Sequence, residues 1–327
     1  AKISIFSVLP MDIVMKKYFY PAVEAFRGGD KLIRIVGHRG ARGLVPENTM
    51  VGFRSAISMG IQLIEFDVVL CADGFPVITH NHTIHSPTFK KSNGNFIEHE
   101  QKVLDLTWQQ LQKFEVGRLD SSTEYAKRFP DQMQFDGIKV PQLDELLNYV
   151  KSAIHGPIFL MLEIKSDPSY LNDESFRNKL VSEVVQQVRG YGLTQRTLLH
   201  SFDWQVLEEC RSLAPEFPTS FLTQTRQDPA DVGEDSSLIV GPNLKEFGNK
   251  IPDMVKQRGG SLWCPNFQDV TPDNLARARS LDLVIAVWTV NSLCEIDRMI
   301  EVGVDAIVTD YPGRVQQRLA HYGYSWQ

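Results

Sequence analysis

Three acids and a lysine in two short apolar runs have the types and spacing to do chemistry together. In "LIEFDVVL" (63–70), side chains alternate along an extended strand. Ile64, Phe66, Val68 and Leu70 therefore share one face, and Leu63, Glu65, Asp67 and Val69 share the other. The purely apolar face suits packing against helices, which leaves Glu65 and Asp67 pointing together to the opposite side. Two such carboxylates repel each other and resist desolvation unless positive charge compensates them. A divalent cation is the economical solution, and lysine or arginine partners are the other. The run "IFLMLEIK" (158–165) repeats the pattern, with Ile158, Leu160, Leu162 and Ile164 on one face and Glu163 and Lys165 on the other. Three carboxylates suit one hard, oxygen-seeking ion such as Mg²⁺ or Ca²⁺ better than zinc. Lys165 is then a salt-bridge partner or a contact for an anionic substrate.

Other reactive residues cluster around turns. "IVGHRGARGLVPENT" (35–49) is an apolar run that breaks into His38, Arg39 and glycines, either as a polar turn or as part of a site. In "CADGFPVITH" (71–80), Asp73-Gly74 is a two-residue hairpin signal. With those two residues at the turn centre, His80 lies directly opposite Asp67, beside the candidate ion site. "HNHTIH" (80–85) offers a rival: His80 and His82 as the HxH pair of a zinc hydrolase of the amidohydrolase kind, without evident further ligands. In "LVIAVWTVN" (283–291), Val284, Ala286, Trp288 and Val290 share a face. Trp288 near the strand end is either core or an aromatic wall for a substrate.

The elements that must position these residues alternate β and α along the chain. Strands are expected near 33–38, 61–70, 157–164, 196–201, 218–222, 261–265, 283–290 and 304–309, separated by helical patterns. One such helix is "ENTMVGFRSAISMG" (47–60), in which Met50, Phe53 and Ile57 share a face and Gly60 closes the end. Eight strands of this kind favour an α/β fold closed as a (β/α)8 TIM barrel over an open sheet. Residues 1–32 are expected to form an extension with a helix packed on the barrel. Residues 33–327 form the barrel domain, with a polar insertion at 81–140 after the second strand.

With 327 residues, 43% of them hydrophobic and 23% charged, the chain has an ordinary globular composition. No run is long enough to span a bilayer. A formal charge of −6 lacks the basic excess of a nucleic-acid binder. The partner expected is a small molecule, and the composition leaves the oligomeric state undefined. Cys71, Cys210, Cys264 and Cys294 are far apart and mostly lie in or beside apolar runs. They read as buried thiols rather than a disulfide framework, which favours a cytoplasmic setting.

The ordered set His38-Arg39-Gly40, Pro46-Glu47-Asn48-Thr49, Glu65 with Asp67, Asp73-Gly74 and His80 resembles the glycerophosphodiester phosphodiesterase family. "LEIK", "HSFDWQVL", "VWTVN" and "GVDAIVTDYP" extend the resemblance over roughly residues 33–315. It implies a TIM barrel that hydrolyses glycerophosphodiesters to glycerol 3-phosphate and an alcohol. Carried over by position, Glu65, Asp67 and Glu163 become ligands of one divalent cation and His38 and His80 an acid/base pair. Arg39 and Lys165 neutralise the phosphate. Many family members have His-Asp where this chain has His80-Asn81, a departure by which an uncharged neighbour alters the orientation or basicity expected of His80 and its share in the chemistry. The alternatives are a lysophospholipase D-like enzyme on the same scaffold, the zinc hydrolase above, and a non-catalytic phosphodiester-binding protein.

Overall fold

Eight parallel strands close on themselves in the computed structural model, which describes residues 19–152, 154, 156–225, 244 and 250–327. They are β1 (Arg34–Gly37), β2 (Leu63–Leu70), β3 (Phe159–Ile164) and β4 (Thr197–Ser201), followed by β5 (Thr219–Thr223), β6 (Leu262–Pro265), β7 (Val284–Val287) and β8 (Ala306–Thr309). Each pairs with its sequence neighbours, and closure comes where β1 pairs with both β8 and β2. The eight expected strands are all present. The seventh is shorter than 283–290 because its ladder stops at Val287, leaving Trp288 on the segment just beyond it.

The alternation of side chains sorts the apolar residues into two cores. Ile64, Phe66, Val68, Leu160, Leu162 and Ile164 face outward and pack against the helices. Leu63, Met161, Leu198, Leu262, Val284 and Ala306 fill the barrel interior. Helix α1 (Pro21–Phe26) adds Val23 and Phe26 to this interior cluster. The earlier part of the expected N-terminal helix lies outside the described residues. Helix α2 (Met50–Ser58) begins where the Thr49 hydroxyl accepts from the Gly52 N–H, and it buries Phe53 and Ile57 as its pattern requires. Among the described residues, no helix is long and apolar enough to cross a membrane.

One expectation about register fails. A short return strand, Pro76–Ile78, runs antiparallel to β2 with Val68 opposite Ile78 and Leu70 opposite Pro76. The register is therefore shifted by one residue, and Asp67 faces Thr79, whose N–H donates to the Asp67 carbonyl at 3.2 Å. The turn is the cause. Gly74 donates to the Cys71 carbonyl and adopts φ +81°, so the loop has three residues with glycine in the left-handed position, rather than two. His80 lies two residues past the return strand. It enters the barrel mouth from the loop, not from a cross-strand pair.

The segment after the return strand carries small apolar clusters of its own. Ile84, Phe89, Ile97, Val103, Leu111 and Val140 pack with Val69 and Val77. Leu119, Tyr125, Ala126 and Phe129 form another cluster around the short helix α3 (Glu124–Lys127).

Candidate active site

The C-terminal ends of the strands surround a cavity of about 600 Å³, where the sites of this barrel architecture lie. His38, Arg39, Glu65, His80, Glu163, Lys165 and Trp288 all line it. Asp67 completes the floor: ligand oxygens of Glu65, Asp67 and Glu163 lie within 4.8 Å of one another, and all three residues are buried. β2 and β3 place them together, because Asp67 and Glu163 are direct partners in the parallel register.

Cations lie against this cluster. Lys165 Nζ lies 3.1 Å from Glu163 and 3.6 Å from Asp67. Arg39 Nε is 3.4 Å from Asp67, and the Arg39 backbone N–H donates to Glu65 at 3.0 Å. Burial, together with the neighbouring Asp67 and Glu163, pushes the Glu65 carboxyl well above its usual range. Burial raises Glu163 to about 7, against the opposing pull of Lys165. Asp67 is buried too, but His80, Lys165, Arg39 and the Asn48 amide hold it well below the ordinary carboxylate range.

The charges fit a divalent ion. Glu47, Glu65, Asp67, Glu163 and Asp310 bring five carboxylates to this region, and three cations, Arg39, Arg42 and Lys165, are paired with them. With every group ionised, the deficit is the charge of one Mg²⁺ or Ca²⁺. The all-oxygen donor set belongs to such ions. His82 does not join it. Its Nδ1 faces Asp167 at 3.8 Å, in a separate small cleft with Val69, Leu70 and Val103. His80 and His82 therefore face different spaces, and the HxH zinc site is not formed. Two residues apart in a loop, the imidazoles have no strand alternation to align them.

His38 and His80 are each fixed by a partner at Nδ1. A carboxylate can only accept, so His38 Nδ1–H donates to Asp310 Oδ1 at 2.7 Å. This leaves Nε2 facing the cluster, 3.7 Å from Glu65. Burial lowers the His38 pKa, with Arg42 and Arg39 adding to the effect, while Asp310 opposes it. His80 Nδ1–H donates to the Asn81 side-chain oxygen at 2.6 Å. The Asn81 amide thus orients the ring without adding negative charge.

Several residues that line or brace the cavity escaped the sequence reasoning. Asp310, fully buried after β8, accepts from His38, from Arg42 at 2.8 and 3.0 Å, and from the Asn291 amide at 2.7 Å. Arg42 lies in the glycine-rich turn after β1, where the paired arginines were the available signal. Asn48 donates to Asp67 at 2.9 Å, and Glu47 accepts from Arg39 at 2.5 Å. "PENT" therefore braces the cluster as well as starting α2. His200 on β4 lines the cavity, hydrogen-bonded to Ser220 and kept neutral by burial, which lowers its pKa to about 3. Alternation along β4 would have pointed to it.

The Asp310 network yields a stability prediction. Asp310→Ala removes the carboxylate that accepts two hydrogen bonds from buried Arg42, and breaking such a buried pair costs about 3–5 kcal/mol. The urea midpoint should fall accordingly, while Asn291→Ala, which removes a neutral amide that donates to Asp310 and accepts from the Asp310 N–H and the Thr309 hydroxyl, should cost about 1–3 kcal/mol.

Comparison with known proteins gives a consistent set of likenesses. The model of the glycerophosphoryl diester phosphodiesterase family matches residues 38–314. A glycerophosphodiester phosphodiesterase of Caldanaerobacter subterraneus is 25% identical over 278 residues, covering 85% of this chain and 94% of that one. A crystal structure from Silicibacter pomeroyi, provisionally called a glycerophosphoryl diester phosphodiesterase, is 42% identical with a TM-score of 0.86, over 94% of this chain and 100% of that one. An Oleispira antarctica phosphodiesterase solved with its product sn-glycerol-3-phosphate shares the fold at 18% identity and a TM-score of 0.65, over 88% and 97% of the two chains.

Proposed function

Because the chain belongs to the glycerophosphoryl diester phosphodiesterase family, we propose that its rim cavity cleaves glycerophosphodiesters by proton exchange between His38 and His80 over a divalent-ion site. The reaction class, hydrolysis of glycerophosphodiesters, comes with the family. The observation that carries the finer reading is the meeting of two oriented histidines, three clustered carboxylates, Arg39 and Lys165 in one cavity.

His38 acts as base in this reading. Asp310 fixes the proton on Nδ1, so Nε2 keeps its lone pair, and burial favours the neutral ring that a base must present. When Nε2 takes a proton from water or from the substrate's own glycerol hydroxyl, the Asp310 carboxylate stabilises the imidazolium. His80 gives a proton to the leaving alcohol oxygen. Its Asn81 partner keeps the ring in place through the transfer. Arg39 and Lys165 face the non-bridging oxygens, on which negative charge builds. Glu65, Asp67 and Glu163 would hold a Mg²⁺ or Ca²⁺ ion, which when bound would add Lewis-acid stabilisation of that charge.

The test is an assay of the purified protein on glycerophosphocholine, glycerophosphoethanolamine and lysophosphatidylcholine, with Mg²⁺, Ca²⁺ or chelator. Release of sn-glycerol 3-phosphate from the first two supports the reading. Release of lysophosphatidic acid alone would move it to the lysophospholipase D class.

Trp288 should act on binding rather than on the proton steps. Its indole N–H donates to the Cys264 carbonyl at 2.9 Å, and its ring meets Phe202 edge-on at 5.4 Å, forming a fixed wall of the cavity. Trp288→Ala should raise KM or change alcohol preference with kcat little altered. Equal losses on every substrate, together with a clearly lower Tm, would make the ring a core residue instead.

A further inference from the structure

We propose that Tyr125 is a positioning residue for this reaction, its hydroxyl joining the network that ends on His38 to the one that ends on Arg39. The inference rests on the phosphodiesterase reading of the cavity. It starts from a strap, residues 123–133, which crosses from the segment after the return strand to the turn between β1 and α2. The strap is tied down at four places. The Met133 N–H donates to the Leu44 carbonyl at 2.9 Å, and the Gln132 amide donates to the Arg42 carbonyl at 2.7 Å. The Phe129 ring lies under the Arg42 guanidinium, 4.5 Å from its centroid. The Tyr125 hydroxyl donates to Glu47 and accepts from Arg42 Nη1 at 3.3 Å.

The last contact links two chains of interaction. On one side Arg42 grips Asp310 with two hydrogen bonds, and Asp310 fixes the His38 tautomer. On the other side Glu47, held by the phenol through one oxygen, accepts from Arg39 through the other. Arg39 itself has a left-handed backbone, φ +49°, and a side chain that also approaches Asp67. A non-glycine residue in that region costs energy and is held there by its surroundings. Tyr125 is buried, with the His85 and Phe129 rings packed edge-on against it, so the hydroxyl has a fixed position to impose. The strap thus does more than wall the cavity with Lys127, Arg128 and Phe129. It sets the angle at which Arg39 meets phosphate and steadies the carboxylate behind His38.

Tyr125→Phe keeps the ring packing and deletes only the joint. We expect a loss of about tenfold in kcat/KM, the scale of one hydrogen bond to a charged group, with Tm lowered by no more than about a few degrees. Affinity for sn-glycerol 3-phosphate, read by calorimetry, should fall because Arg39 is less well held. Glu47→Gln should give a similar loss, and the double variant should lose no more than the worse single variant, since both act through one contact. Full activity and unchanged product affinity in Tyr125→Phe would overturn the inference, as would strictly additive losses. If the unaltered protein cleaves no diester, the functional reading falls by itself, and the effect of Tyr125→Phe on binding of sn-glycerol 3-phosphate then decides the role of the hydroxyl.

Discussion

His38→Ala is expected to lower kcat by roughly 10²–10⁴ while leaving the affinity for the divalent ion nearly unchanged. The size follows from what the ring contributes: proton transfer at the reacting oxygen, by a nitrogen aimed through Asp310 at the carboxylate cluster. His38 contributes no ligand atom to that cluster, so the ion site survives its loss. The imidazole, lining the cavity, is also not part of the apolar cores, and Tm should move little. His80→Ala is expected to fall in the same range. His80→Ala should be rescued in part by substrates with acidic leaving alcohols such as p-nitrophenol, because these need no proton. His38→Ala should not be rescued in that way. Near-normal turnover of either variant at saturating substrate would return that histidine to a structural role, and rescue of both would undo the division into base and acid.

Removing the divalent ion should have the second large effect, on activity and on stability together. Chelation is expected to abolish turnover, and Glu65→Gln or Glu163→Gln to weaken ion affinity severely. The stability effect has a definite sign with pH. In the ion-free protein burial raises Glu163 from 4.5 to about 7, and Glu65 is raised as well. A carboxyl with a raised folded-state pKa favours the folded state below its unfolded value. That contribution is lost as pH rises through the folded value. Ion-free protein should therefore lose stability between about pH 4.5 and 7, by up to roughly 3 kcal/mol from Glu163. Asp67, whose pKa is lowered, responds only at more acidic pH and does not cancel this loss. Adding Mg²⁺ or Ca²⁺ should restore stability most at the alkaline end, where all three oxygen ligands are ionised. Melting curves at pH 5, 6, 7 and 8, with chelator and with each ion, test this directly. A pH-independent Tm that ignores both ions would remove the ion site from the reading.

Much of the site was determined by local sequence alone. Period-two alternation decides which face of a strand is apolar, so Glu65, Asp67 and Glu163 could be assigned to the barrel interior before any fold was seen, and they meet there. The eight strands were legible for the same reason, since each is short, apolar and bounded by turn residues. Only tertiary structure decided how the polar groups pair. Asp310 lies 272 positions from His38, and Tyr125 lies 78 from Glu47. Contacts of that kind have no periodicity, and the turns and loops that carry these groups accept many polar residues equally well. The hairpin register depended on whether Gly74 would take the left-handed position, a choice that Asp73-Gly74 permits in more than one turn. His80 and His82 separated for a related reason: in a loop, the direction of a side chain is set by what the backbone packs against. Burial fixes the apolar faces wherever the chain runs, whereas a hydrogen bond between distant residues exists only once the barrel has closed.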